Sequence, residues 1–179
     1  PPANRVPERL AAVLAGLYLV VNEGYAATSD ESLIRRELCE EAIRLTRLMV
    51  ELMPDEPEAA GLLALMLLHD SRREARLDAA GDLVLLEDQD RGRWDRAQIT
   101  EALALVPLAL RGGGGPYALE AAIAALHCSA ARAGDTDWQQ IAALCAERDT
   151  PAPSPSPPPN NALATPLPQR PAARPRHPH

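Results

Sequence analysis

Residues 83–96, LVLLEDQDRGRWDR, set four carboxylates (Glu87, Asp88, Asp90, Asp95) and three guanidinium groups (Arg91, Arg93, Arg96) around Trp94, on the end of an aliphatic run. Three kinds of chemistry compete for them. A calcium loop of the EF-hand type needs glycine at its sixth position and a bidentate glutamate at its twelfth. Counted from Asp88, Gly92 falls one place early and the twelfth residue is Ile99. Acid/base catalysis by paired carboxylates needs one of them desolvated, with a raised pKa. Neighbouring arginines act the other way and keep acids ionised, and no histidine, serine or cysteine lies close in sequence to be activated. The third possibility is a structural corner. In it Leu85 and Leu86 anchor the chain, acids and arginines pair with each other and with helix ends, Trp94 closes the turn onto the hydrophobic body, and Asp95 or Trp94 starts a helix whose positive end favours acids. The corner is the expectation, and with it the absence of catalysis.

Other chemistry-bearing residues are sparser. His69 and His127 could join a metal site only if the fold brought both together with a carboxylate; the competing enzyme reading is a small metal-dependent hydrolase using Asp88, Asp90 and His69. Otherwise each histidine caps carbonyls or is bonded in the core. Cys39, Cys128 and Cys145 are odd in number and widely spaced, which fits reduced thiols on helices better than a disulfide frame or a zinc site. Four glycines, 112–115, lack the following lysine and the preceding strand of a phosphate cradle, so they read as a turn.

The elements that position these groups are helices. Pro7 opens a helix to about Val21 with Leu10, Val13, Leu14, Leu17, Tyr18 and Val21 inward, and Asn22-Glu23-Gly24-Tyr25 reads as its stop. A second, capped by Ser29 or Asp30, turns Ile34, Leu38, Ala42, Leu45, Met49 and Leu52 to one face and pairs Glu31–Arg35, Glu40–Arg44 and Arg47–Glu51 on the other. A third, from Pro57 to about Arg73, is apolar all round and is therefore the central helix. A small β-hairpin is expected near 76–86, with its turn at 79–82. A fourth helix, 95–110, faces Ile99, Leu103, Val106 and Leu110 inward and meets a kink at Pro107. A fifth opens at Pro116, lined by Leu119, Ala122, Ile123 and Leu126; a sixth, from about Trp138 to Arg148, is capped by Asp135, Thr136 or Asp137. The fold class is thus all-α, a helical bundle or α-hairpin stack of tetratricopeptide-like type, although no strict 34-residue period is evident.

Composition sets the limits. Apolar residues make up 46 % of 179 residues but aromatics only 3 %, with no phenylalanine, so leucine and alanine must build the core. All 18 basic residues are arginine, a bias of GC-rich, bacterial coding. The 25 acids all precede residue 151, where only 15 arginines oppose them. So acidic a body gives counterion release nothing to work with, and no direct nucleic-acid binding is expected. No signal peptide is visible, and the apolar stretches 10–21 and 61–68 are too short to span a bilayer, which implies a cytoplasmic protein with no membrane contact. Residues 151–179 hold 11 prolines and no acid, the composition of a disordered or polyproline-like tail. The expected organisation is a linker remnant at 1–6, a helical domain at 7–148 and a tail at 149–179.

Several segments in the same order, LAGLYLVVNEGYAAT, LMPDEPEAAGLLALMLLHDSRREAR, GDLVLLEDQDRGRWDR, GPYALEAAIAALHCSAA and DTDWQQIAAL, resemble the C-terminal extension of bacterial extracytoplasmic-function RNA polymerase sigma factors, over about residues 7–147. The resemblance implies a helical, tetratricopeptide-like regulatory domain acting in transcription initiation. Its expected partner is a protein, either RNA polymerase with the sigma regions or a signalling protein, and no cofactor or metal is expected. The residues it marks as surface contacts or family-signature structure are Asn22, Glu23, Tyr25, Glu87, Asp88, Asp90, Arg91, Trp94, Asp95 and Asp137. Two departures stand out. The promoter-reading regions 2 and 4 that precede this domain in the family have no counterpart here. The helical pattern also stops after about Leu144, which looks like a shifted reading frame and leaves a truncated, non-functional product as a further alternative.

Overall fold

The computed structural model describes residues 6–25, 32–111 and 113–148. Apart from Val6, the expected linker remnant lies outside them, as do the tail from residue 149, His177 and His179, and the expected caps Ser29 and Asp30. Six helices follow one another: α1 (Val6–Tyr25), α2 (Ser32–Leu52), α3 (Pro57–Asp70), α4 (Arg96–Leu110), α5 (Pro116–Ser129) and α6 (Trp138–Arg148). The described residues contain no strand. The hairpin expected near 76–86 is reduced to one antiparallel bridge, Leu77 to Leu83, around a turn in which the Asp78 carboxylate accepts the N–H groups of Ala80 and Asp82. Gly81 takes φ +86° there, a conformation that costs glycine little. A pair of residues this short, with Leu83 and Leu85 facing solvent, has no buried face on which strands could form.

α3 is the central helix. Pro57 sits at its first turn, where a missing N–H is harmless, and every residue from Ala59 to His69 is buried. It packs against α1, α2, α4 and α5; α1 also packs on α2, α4 on α5, and α5 on α6. The odd-numbered helices therefore touch in succession, α2 packs on both α1 and α3, α4 on both α3 and α5, and α6 on α5, an all-α hairpin arrangement. Full burial of each leucine among Leu62, Leu63, Leu65, Leu67 and Leu68 is worth about 1.5–3 kcal/mol.

Close approach of α5 to α3 depends on small residues. A Cβ on Gly61 would stand 2.7 Å from the Ala118 nitrogen and 2.9 Å from its Cα, so only glycine fits. α5 answers with Ala118, Ala121, Ala122 and Ala125, all buried, along with Tyr117, Leu119 and Cys128. Gly113 and Gly114, at φ +93° and +73°, make the left-handed turn that brings α5 back onto α3. The Glu58 carboxylate then caps α5 from α3, accepting the N–H groups of Tyr117 and Ala118 at 3.1 Å each. Burial raises the Glu58 pKa, and these two hydrogen bonds oppose the rise. Beside it, burial and the nearby carboxylate push the Tyr117 hydroxyl up to about 12, and the Tyr117 ring meets Tyr18 of α1 edge-on, centroids 5.5 Å apart.

Several expected faces are corrected. α1 buries Leu14, Tyr18 and Val21, but Val13 is exposed, and the helix runs through the expected stop to Tyr25. α2 turns a shifted stripe inward: Ala42 is buried and Met49 partly so, as expected, but Cys39, Ile43 and Thr46 join them while Ile34, Leu38, Leu45 and Leu52 face solvent. Thr46 spends its hydroxyl locally, donating to the Ala42 carbonyl at 2.8 Å. The charges re-pair as well. Arg36 bonds Glu40, Arg44 bonds Glu41, and Arg47 reaches across to Glu101 of α4 at 2.8 Å. Glu31 lies outside the described residues. In α4 the buried positions are Ile99, Ala102 and Ala109, with Leu103 and Val106 partly covered and Leu110 exposed, and the helix continues through Pro107.

Candidate functional site

The corner around Trp94 is built from helix ends. Asp95 caps α4, its carboxylate accepting the N–H groups of Ala97 (3.0 Å) and Gln98 (3.1 Å). Its own N–H donates to the Ser71 carbonyl at 2.8 Å, tying the start of α4 to the end of α3. Asp90 caps the short 3-10 turn Arg91–Arg93 by accepting the Gly92 N–H at 2.9 Å. Arg91 does most to join the pieces. Its Nη1 donates to the carbonyls of His127 (2.8 Å) and Ala130 (2.9 Å) at the end of α5, where a cation suits the helix dipole. Its guanidinium carbon lies 4.4 Å from the centroid of the Trp94 ring, a cation–π contact. Burial, with Arg96 and Arg72 nearby, lowers the Arg91 pKa from its usual value. Trp94 is 3 % exposed, and its indole N–H has no hydrogen-bond partner among the described residues.

Two of the carboxylates, those of Asp90 and Asp95, are engaged as caps. Glu87, Asp88, Asp90 and Asp95 are all exposed. The Asp88 N–H donates to the Leu85 carbonyl in a turn. Leu85, expected as a core anchor, is 59 % exposed, and only Leu86 packs against the core. His69 is buried; that burial, with Arg72 and Arg76 alongside, drives its pKa well below the ordinary histidine value. Among the described residues no group of three histidine, cysteine, aspartate or glutamate side chains is placed to hold a metal, so Asp88, Asp90 and His69 are not brought together. All three cysteines are free, Cys39 and Cys128 buried and with raised pKa values, burial being the main cause.

The remaining marked residues fall at two places. Asp137 caps α6, its carboxylate accepting the Gln140 N–H at 2.9 Å, and the next residue, Trp138, sets its ring edge-on to His127 at 5.4 Å. Asn22, Glu23 and Tyr25 occupy the last turn of α1, where the Glu23 carbonyl accepts Arg35 Nη1 at 2.8 Å.

That turn borders the feature the sequence pattern concealed. Val13, Leu19 and Val20 of α1 and Ile34, Leu38, Leu45, Leu48 and Leu52 of α2 are exposed, Ile34 and Leu52 by 66 % and 72 %. A groove of about 370 Å³ between the helices is lined by Leu19, Val20, Glu23, Arg35 and Leu38. Monomeric proteins rarely show so extended an apolar surface without a use for it. α2 is apolar on two faces, and periodicity alone does not say which one packs on its own chain. What sets the two apart is composition: the exposed side is mostly leucine, the buried side mixed, with Cys39, Ala42, Ile43 and Thr46.

A helical domain with a braced polar corner and an exposed apolar helix pair belongs to the all-α architectures. Residues 9–110 match the family described as Family of unknown function (DUF6596), and the chain belongs to that family. It is similar to the uncharacterized protein R00370 of Rhizobium meliloti (strain 1021), 50 % identical over 165 residues, which is 92 % of this chain and 39 % of the relative. The chain thus spans well under half of that relative's length. No solved structure matches the chain, and among the described residues no helix is long and apolar enough to cross a membrane.

Proposed function

We propose that this chain is a protein-interaction domain of a bacterial alternative sigma factor of the extracytoplasmic-function class, acting in the cytoplasm at transcription initiation by packing a helix face against another protein. The observation that carries the interaction role is the exposed apolar surface of α1 and α2, eight large side chains held on a rigid scaffold. The sigma-factor assignment rests on the ordered segments quoted above. The length of the relative leaves room for sigma regions in the longer protein. A non-catalytic role is supported by the use of Asp90, Asp95 and Asp137 as caps and of Arg91 as a brace.

The test is reconstituted transcription. The chain is added to RNA polymerase loaded with the remainder of the longer relative, and promoter-specific transcript is measured alongside direct binding. The expected result is binding together with a several-fold change in transcript, both lost in Leu38→Glu. Full transcript and no binding would refute the assignment.

A further inference from the structure

The exposed residues of α2 follow a heptad. Ile34, Glu41 and Leu48 fall at one seam position and Leu38, Leu45 and Leu52 at the other, so five of six seam positions are large and apolar. The buried stripe Cys39, Ala42, Ile43 and Thr46 lies on the other side of the helix, facing α1 and α3. A seam of this period is the pattern by which one helix packs along another. From this geometry we infer that the α1–α2 face binds a second copy of the chain, with the two α2 helices antiparallel about a two-fold axis near Ile43. The inference rests on the reading of this face as a contact surface and names its occupant.

Three features select a second copy in that orientation. The seam is self-complementary: Ile34 meets the partner's Leu52, Leu38 the partner's Leu48, and Leu45 the partner's Glu41, which is the isologous condition for a two-fold dimer. A parallel pair would instead set Glu41 against Glu41, two like charges at one layer. Charge at the axis is complementary as well. Glu41 and Arg44, bonded to each other at 2.6 Å within one copy, lie beside the same pair of the second copy with opposite signs adjacent. The area is also adequate: the exposed parts of the five apolar seam side chains of α2 come to roughly 500 Å² per copy, so about 1,000 Å² for the pair, the level a specific interface has to reach.

The experiment is analytical ultracentrifugation of the full 179-residue chain over a concentration series, with circular dichroism of each variant to confirm that helicity is kept. The expected species at high concentration has twice the 19.2 kDa mass of the chain. Leu38→Glu and Leu48→Glu, both at exposed positions, should weaken the dimer by a factor of about 100 or more. Glu41→Arg should weaken it about tenfold, because like charges then meet at the axis. For the register, an Ile34→Cys chain mixed with a Leu52→Cys chain should give a mixed disulfide in preference to either self-pair. A monomer at all concentrations overturns the inference, as does a dimer indifferent to these leucines. A monomer that uses Leu38 to bind the remainder of the longer relative also overturns it, while leaving the interaction role intact. Loss of that binding as well would remove both.

Discussion

Gly61 and Gly16 are both helical glycines, and replacing each by alanine should move stability in opposite directions. In an unobstructed helix the exchange gains about 1 kcal/mol, because alanine loses less backbone entropy. Gly16 of α1 has no atom within 4 Å of the added Cβ, so Gly16→Ala should realise that gain. At Gly61 the Cβ lands 2.7 Å from a backbone nitrogen of α5, and no rotamer change can relieve that. Restoring ordinary contact requires α3 and α5 to part by about 0.7 Å, a gap that forfeits a quarter to a half of the dispersion energy of the atoms lining it. Overpacking of this kind costs about 2–3 kcal/mol; after the propensity gain, a net loss of about 1–2 kcal/mol remains. For a chain of this size that is a fall in Tm of roughly 2–8 °C, against a rise of about 2–4 °C for Gly16→Ala. Urea melts followed by helicity, with the m-value unchanged, would measure both. If both variants are stabilised alike, the α3–α5 contact is not the close approach described here, and the account of α5 built on it fails.

Three other outcomes are expected. Arg91→Ala should cost about 2–3 kcal/mol in a urea melt by freeing two carbonyls of α5 and the face of Trp94, and Arg91→Lys should recover only part, since a lysine cannot hold both carbonyls and the ring in one plane. Asp95→Ala should lose about 1 kcal/mol through the α4 cap, and Asp95→Asn only a fraction of that; equal losses would mean that charge rather than capping matters. For pH, His69 has a folded pKa well below the unfolded value of 6.5, so the unfolded chain takes up the proton first. Stability should hold above about pH 6.5 and fall as pH drops through it, by up to 1.4 kcal/mol per unit (roughly) for this group. His127, also lowered, chiefly by burial, adds a component of the same sign. Urea midpoints from pH 7.5 to 5.5 (about neutral to mildly acidic) would show the slope, and a flatter dependence in His69→Leu would assign it.

The helices were legible wherever one signal decided them. Pro57 and Pro116 opened α3 and α5, Asp95 and Asp137 capped α4 and α6, and the unbroken apolar run of α3 marked the centre of the bundle. The corner was legible in part: Asp90 and Asp95 take the free N–H groups of helix starts and Arg91 takes carbonyls at the end of α5, as expected, whereas the expected ion pairs between the corner's own acids and arginines do not form among the described residues. What stayed hidden was long-range. Nothing near Glu58 in the chain reveals that its carboxylate caps a helix starting at Pro116, and nothing near Arg47 points to Glu101. The face of α2 was misjudged for a related reason: leucine marks a surface that wants covering, without saying whether the cover comes from the same chain. Gly61 carried a usable signal in retrospect, as the one residue without a side chain inside a helix buried on every side.

The Glu58 cap has a consequence for synthesis on the ribosome. Glu58 emerges 59 residues ahead of Tyr117, whose N–H it will accept, so at about 5–20 residues per second it waits roughly 3–12 s for its partner. During that interval a carboxylate bound for a half-buried position sits open to water beside an uncovered flank of α3. The nascent chain is therefore most exposed to chaperone capture or to wrong pairing in the seconds before its second half arrives, and ribosome stalling between the two residues should lengthen that vulnerable period.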